Sequence, residues 1–374
     1  VQLEPWPVVS VNSMRIPFLS PPTDGEETPL WRHPEVGLID WLIQLSFPLL
    51  LPLERMTTAA LSGDLSLLLE LRGKMDQRDG VQHDSVFSEW RLTLLQMSRA
   101  DGSTLEARLY HPPGSGDTLL PVVLWFHGGG YTLSTARDSH GATFAAELAA
   151  MVAEAPKVAW LSVEYRLAPE HPFPAAPLDG ATALEYICDA SRAASIKIDS
   201  SAIHVAGASA GAGVAAAVAT DAARRGVAVR SLFLDEPCLD PRANSASFAV
   251  NSATTIAPVA WLRWSWSVYY PFEHADAVSD RFFVLPRLAE PDVLGSPAHP
   301  TTLVITASAD PLRAEGAAYA EALRAAGKLE AHIEAKGSHV IALTLDKEAR
   351  RRALTAWAAL LHRGAGREGS GPRE

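Results

Sequence analysis

Short apolar runs alternate with Ala-rich stretches of helical period along the second two-thirds of the chain, and this alternation constrains the fold most. The runs are PVVLWF (121–126), KVAWLSV (157–163), AIHVAG (202–207), RSLFLDE (230–236), TTLVITAS (301–308) and LEAHIEA (329–335). Helical patterns fall near 140–154, 176–194, 210–225, 314–326 and 346–362. A short run that is apolar throughout predicts a strand buried on both faces, and strands separated by helix-length crossovers run parallel. The predicted class is therefore α/β, with a mostly parallel central sheet flanked by helices. Ahead of it, WRLTLLQM (90–97) and TLEARLYH (104–111), joined by Ala100-Asp101-Gly102-Ser103, predict a β-hairpin.

Several stretches do not fit the alternation. Residues 1–35 are Pro-rich and read as an irregular arm. Residues 36–78 hold two helical patterns, the second placing Leu61, Leu65, Leu68, Leu69 and Arg72 along one side. Residues 36–53 approach the length of a membrane span, but Asp40 interrupts them and Pro48 and Pro52 break a continuous helix. They read as an amphipathic helix lying on the domain, with membrane association as the alternative. The gap from Cys238 to Pro300 contains WLRWSWSVYY (261–270), an inserted helical segment, and residues 363–374 form a Gly-rich, charged tail predicted to be disordered.

Thirty-two Lys and Arg against 43 Asp and Glu leave a net charge of −11 with no local basic patch, which argues against nucleic-acid partners. Two cysteines, Cys188 and Cys238, are too few for a disulfide scaffold or a Cys-based zinc site and read as buried thiols. With no Asn-x-Ser/Thr sequon present, the expected location is cytoplasmic.

The chemistry concentrates at the ends of the predicted strands. Gly207-Ala208-Ser209-Ala210-Gly211 follows one strand and opens a helix, the context of a nucleophile elbow, where only small neighbours let strand and helix approach. His127-Gly128-Gly129-Gly130 ends PVVLWF, and its glycines free backbone N–H groups to converge on an oxyanion. Gly128, Gly129 and Ala210 are the candidate donors. A plain tight bend and a phosphate loop are the other uses of such a turn, and the phosphate loop lacks the Gly-Lys-Ser/Thr that would have to follow. Among twelve histidines, His339 stands in a loop just past LEAHIEA, whereas His332 alternates within that strand and His362 ends the last helix. Asp310 directly follows TTLVITAS, in the chain order serine, acid, histidine that this architecture requires. A plain helix cap is the alternative role for Asp310, and Asp240 is the alternative acid.

HGGG, GASAG and the run Tyr165-Arg166-Leu167-Ala168-Pro169-Glu170-His171-Pro172-Phe173-Pro174-Ala175-Ala176 together resemble the hormone-sensitive lipase-like family of α/β-hydrolases, which includes carboxylesterases and arylacetamide deacetylases. The resemblance spans roughly 88–362. It implies an α/β-hydrolase catalytic domain over 86–244 and 296–362. A helical cap would be built from residues 1–85 and an insertion at 245–295, with Tyr131, Trp41, Trp261, Trp264 and Trp266 as candidate pocket residues beside Tyr269 and Tyr270. The chain departs from the family at Ala208, at Ala314 before Glu315, and in the short loop Gly337-Ser338-His339. These positions bear on substrate preference and pKa tuning. The expected activity is hydrolysis of a small-molecule, hydrophobic ester through an acyl-enzyme on Ser209, with no metal or organic cofactor. A tailoring deacetylase, lactonase or acyl transferase, a non-hydrolytic enzyme and a ligand-binding protein are the alternatives on the same fold.

Overall fold

A computed structural model describes residues 53–151, 157–251, 258–270 and 291–363. The arm, residues 36–52 with Trp41, and the tail beyond 363 lie outside the described residues. Two helices, α1 (Leu53–Leu61) and α2 (Ser66–Val86), lead into the hairpin β1 (Arg91–Ser98) and β2 (Thr104–His111). The remaining strands are β3 (Leu120–Phe126), β4 (Ala159–Val163), β5 (Ile198–Ala208), β6 (Ser231–Asp235), β7 (Thr301–Ala307) and β8 (Leu329–Ala335). They form one eight-stranded sheet in the order β1-β2-β4-β3-β5-β6-β7-β8. Only β2 runs against its companions, pairing antiparallel with both β1 and β4.

Every residue of β3, β4 and β6 is buried, because helices cover both faces of the sheet. On one face lie α3 (Ser139–Met151) and α12 (Lys347–Arg363), whose Trp357 stacks on Phe233 of β6 at 4.0 Å. On the other lie α4 (Ala175–Cys188), α6 (Ala210–Arg224) and α10 (Arg313–Ala325). The short helices α5 (Ala190–Ser195), α7 (Ala246–Val250), α9 (Pro291–Leu294) and α11 (Ala342–Leu345) and the aromatic α8 (Val259–Tyr269) complete the described fold. Helix α8 packs against α1, so the two stretches that broke the alternation meet in space.

Three local expectations are corrected. The single helix expected over 176–194 is two, because Asp189 adopts an extended conformation and its carboxylate accepts the Arg192 amide at 2.9 Å, capping α5. The apolar face drawn from Leu61 to Arg72 does not run through. Ser62-Gly63-Asp64 ends α1, and the phase shifts so that Leu68 and Leu71 are buried while Leu61 and Leu69 face solvent. Strand β5 starts at Ile198, four residues earlier than expected, where Ile198 pairs with Leu120. Of the two thiols, Cys238 is buried and Cys188 half-buried. Among the described residues no helix is long and apolar enough to cross a membrane.

Candidate active site

Parallel register brings the carboxyl ends of the central strands to one level. Phe126 pairs with Gly207, Ala208 with Asp235, Asp235 with Ile305, and Ala307 with Ala335. Ser209 follows β5 with φ 54° and ψ −120°, a conformation that costs a non-glycine residue about 1–3 kcal/mol. Neighbouring backbone over-determines it. The Ser209 amide donates to Asp235 O at 2.8 Å, and its carbonyl accepts from Ala212, Gly213 and Cys238 at 3.0, 3.2 and 3.1 Å. The approach is close enough that a β-carbon at Gly207 would stand 2.3 Å from Gly211 O, which is why small residues flank the serine.

The loops after β7 and β8 deliver the other two side chains. His339 Nδ1 donates to Asp310 Oδ2 at 2.7 Å, which leaves Nε2 to accept the Ser209 hydroxyl at 2.9 Å. Those loops are stitched together by Ser308 N to Ala335 O and Ala309 N to Gly337 O, both 2.9 Å. Asp310 Oδ1 accepts the Leu312 amide at 2.8 Å, so the carboxylate caps the next turn and orients the imidazole at once. From the inserted segment, Asn251 Nδ2 donates to Asp310 O at 3.0 Å and Ser247 Oγ to Pro311 O at 2.5 Å. Asp240 instead faces Arg242, with Nε to Oδ1 at 2.8 Å, and His332 bonds Thr306 Oγ1 at 2.8 Å within the sheet. Burial of His339 disfavours its charge, but the charges and hydrogen bonds of Asp310 and Glu236 outweigh that and hold its pKa well above the ordinary histidine value.

Glu236 is the residue that sequence reasoning passed over. It stands one position beyond β6 with φ 48°, and its Oε2 lies 3.1 Å from His339 Nδ1 while accepting the Val340 amide. The signal available was the Asp235-Glu236-Pro237 run ending the strand beside the nucleophile. Burial, opposed by the His339 hydrogen bond, pushes its pKa up to about 7. Donor atoms of Glu236, Asp310 and His339 lie within 4.8 Å of one another, a grouping that a cation could also use. The 2.7 Å contact between Nδ1 and Asp310 is tighter than the roughly 3.3 Å that separates neighbouring ligands around a tetrahedral zinc, and fits a hydrogen bond better.

The glycine turn lies against the nucleophile, since a β-carbon at Gly128 would stand 3.4 Å from Ser209 Cβ. Gly129 has φ +113°, and its carbonyl is taken by the Thr132 and Leu133 amides at 3.1 and 2.9 Å. Among the described residues the amides of Gly128 and Gly129 donate to no backbone carbonyl, and that of Ala210, first in α6, has no intrahelical acceptor. Burial pulls the His127 pKa down to about 4, so this imidazole is neutral beside the turn. Tyr165 stacks on it at 4.2 Å and donates to its carbonyl at 2.6 Å. Arg72 of α2 binds Thr132 O at 2.8 Å, Ala168 O at 2.7 Å and the Glu170 carboxylate, tying the turn to the proline-rich loop.

Of the pocket candidates, Tyr131 is buried, stacked on Tyr269 at 3.8 Å with its hydroxyl on Cys238 O at 2.8 Å, and Trp266 packs beside it at 5.0 Å. Trp264 is buried in the same helix. Trp261 covers the glycine turn itself, within 2.6 Å of where a Gly130 β-carbon would stand.

Residues 123–343 match the family model described as the alpha/beta hydrolase fold. The chain belongs to that family. Within the α/β-hydrolase family, it is similar to carboxylesterase NlhH of Mycobacterium tuberculosis, 37% identical over 61% of this chain and 68% of the relative. It also resembles the Arabidopsis thaliana gibberellin receptor GID1A, 31% identical over 58% of this chain and 60% of the receptor. Among solved structures, a bacterial heroin esterase superposes with a TM-score of 0.68 at 31% identity, covering 85% of this α/β-hydrolase and 99% of that chain. The expected fold and the kinship with carboxylesterases are thereby met.

Proposed function

We propose that this α/β-hydrolase is a serine carboxylic-ester hydrolase acting on a small hydrophobic ester. The carrying observation is the unbroken relay from Ser209 Oγ through His339 to Asp310, with bonds of 2.9 and 2.7 Å. His339 takes the Ser209 proton as Oγ attacks the ester carbonyl, and Asp310 stabilises the imidazolium and fixes its tautomer. The amides of Gly128, Gly129 and Ala210 hold the tetrahedral oxyanion, an array whose members are each worth about 3–4 kcal/mol in comparable sites. His339 then protonates the departing alcohol, leaving an acyl-Ser209, and activates the water that releases the acid. Trp261 over the glycine turn forms one wall of the substrate pocket.

In this reading residues 86–244 and 296–362 form the catalytic domain, and the N-terminal helices and the 245–295 insertion form the cap, as the packing of α8 on α1 supports. Two unpaired thiols favour a reducing, cytoplasmic setting. The gibberellin-receptor relative prompts a ligand-binding alternative. A binder has no use for a serine hydroxyl bonded to an oriented imidazole, which favours catalysis. The assay is release of p-nitrophenol from the acetate and butyrate esters by wild type and Ser209→Ala. Activity confined to the wild type is expected, and equal rates sink the assignment.

A further inference from the structure

Resting on the esterase reading, the geometry points to Glu236 as a positioning residue that grips the histidine loop at two points and shares with Asp310 the stabilisation of the His339 imidazolium. One Nδ1–H faces two carboxylates, at 2.7 Å to Asp310 and 3.1 Å to Glu236. The same Glu236 oxygen accepts the amide of Val340, the very next residue, so side chain and backbone of the loop converge on one acceptor. Both Glu236 and Val340 have positive φ, 48° and 69°. Strain at two facing non-glycine residues persists only where the surroundings enforce it. Glu236 is anchored from β7 by its own amide, which donates to Ile305 O at 3.1 Å, and the whole residue is 3% exposed. It is therefore a fixed acceptor that does not depend on loop motion.

The charged groups around Glu236 are Asp235 on its own strand, Asp310 from the loop after β7 and His339 from the loop after β8. His140 of α3, bonded to Asp235 at 2.7 Å, also interacts with the Glu236 charge. A second carboxylate this near raises the basicity of His339 when ionised, since opposite charge within about 4–6 Å shifts a pKa by about 1–3 units. Removing that charge while keeping an acceptor for the Val340 amide separates the electrostatic role from the steric one.

Glu236→Gln does this, because the amide oxygen still accepts from Val340. The expected result is that the acid limb of kcat/KM for p-nitrophenyl butyrate moves about one pH unit lower. The alkaline plateau falls as well, because the imidazolium formed as Ser209 attacks loses one of its two counter-charges. Glu236→Ala, which also frees the loop, lowers kcat with KM little changed. Coincident pH profiles for wild type and Glu236→Gln overturn the inference. A second reading is the Val340 amide resonance by NMR in wild type and Glu236→Gln: the variant loses the part of the titration that belongs to Glu236 if this carboxylate accepts from the amide, and identical titration curves in the two proteins overturn that contact. Loss of the Ser209 requirement in the parallel assay would instead overturn the esterase reading, and the Val340 titration would still decide the role of Glu236.

Discussion

Gly211→Ala probes whether the elbow works because strand and helix touch. A β-carbon there would stand 2.1 Å from Phe126 O and 2.3 Å from His127 O. Ordinary carbon contact begins near about 3.5 Å, so the new methyl is about 1.4 Å too close to the Phe126 carbonyl of the sheet and about 1.2 Å too close to the His127 carbonyl of the glycine turn. Neither obstacle is a side chain that can rotate away. Either α6 moves off β3 or the end of β3 moves off α6, and both displace His127 and Gly128 relative to Ser209. Overpacking of this kind costs about 1–3 kcal/mol of stability, and a misplacement of about 1 Å costs about 100-fold in rate. Urea unfolding and kcat/KM on p-nitrophenyl butyrate measure the two effects on one preparation. Gly226→Ala is the control. It has φ +71° with nothing within 4 Å, so strain lowers its stability while its kcat/KM stays that of wild type. A Gly211→Ala enzyme with the rate and the unfolding midpoint of wild type would refute the close-approach argument.

Two further outcomes follow from the charges. Only neutral His339 accepts the Ser209 proton, and its pKa is raised, so kcat/KM climbs with pH along a limb above pH 6.5, the ordinary histidine value; a limb at or below pH 6.5 in a pH-rate profile contradicts this. Asp179, fully buried, joins Arg99 Nε at 2.7 Å to Arg166 Nη2 at 2.9 Å, and Asp179→Ala removes the carboxylate they share, leaving Arg99 its Thr104 carbonyl and Arg166 a 3.5 Å ion pair with Asp101, and lowers unfolding stability by about 3 kcal/mol in denaturant titration. A loss below about 1 kcal/mol would show the bridge to be solvent-screened.

The parts of the molecule legible in the sequence are those that local rules determine. Apolar runs such as PVVLWF and the SLFL of 231–234 are strands because both sheet faces are covered, and Gly207, Ser209 and Gly211 are spaced by the elbow's own sterics. His339 and Asp310 were legible because each stands in the loop just past a strand whose end the parallel register brings to the level of Ser209. Glu236 was not: the run Asp235-Glu236-Pro237 at the strand end pointed toward the site, but the meeting with His339 depends on the chain turning through a positive φ after β6, which that run does not specify. The break at Asp189 was hidden by Ala-rich sequence on both sides that suits one helix as well as two. The lost phase between Leu61 and Leu68 has the same origin: a short break can leave the apolar period looking continuous. Tyr131 and Trp266 show a further limit, since an aromatic near a site by number becomes a packing strut or a pocket wall only through its neighbours.

Ser209 as the nucleophile is tested most directly by stoichiometric labelling with a fluorophosphonate followed by intact-mass and peptide analysis. The account predicts one adduct per chain, carried on Ser209, formed faster as pH rises through the His339 titration and absent in Ser209→Ala. An unlabelled wild type, or an adduct that persists in Ser209→Ala, would contradict it.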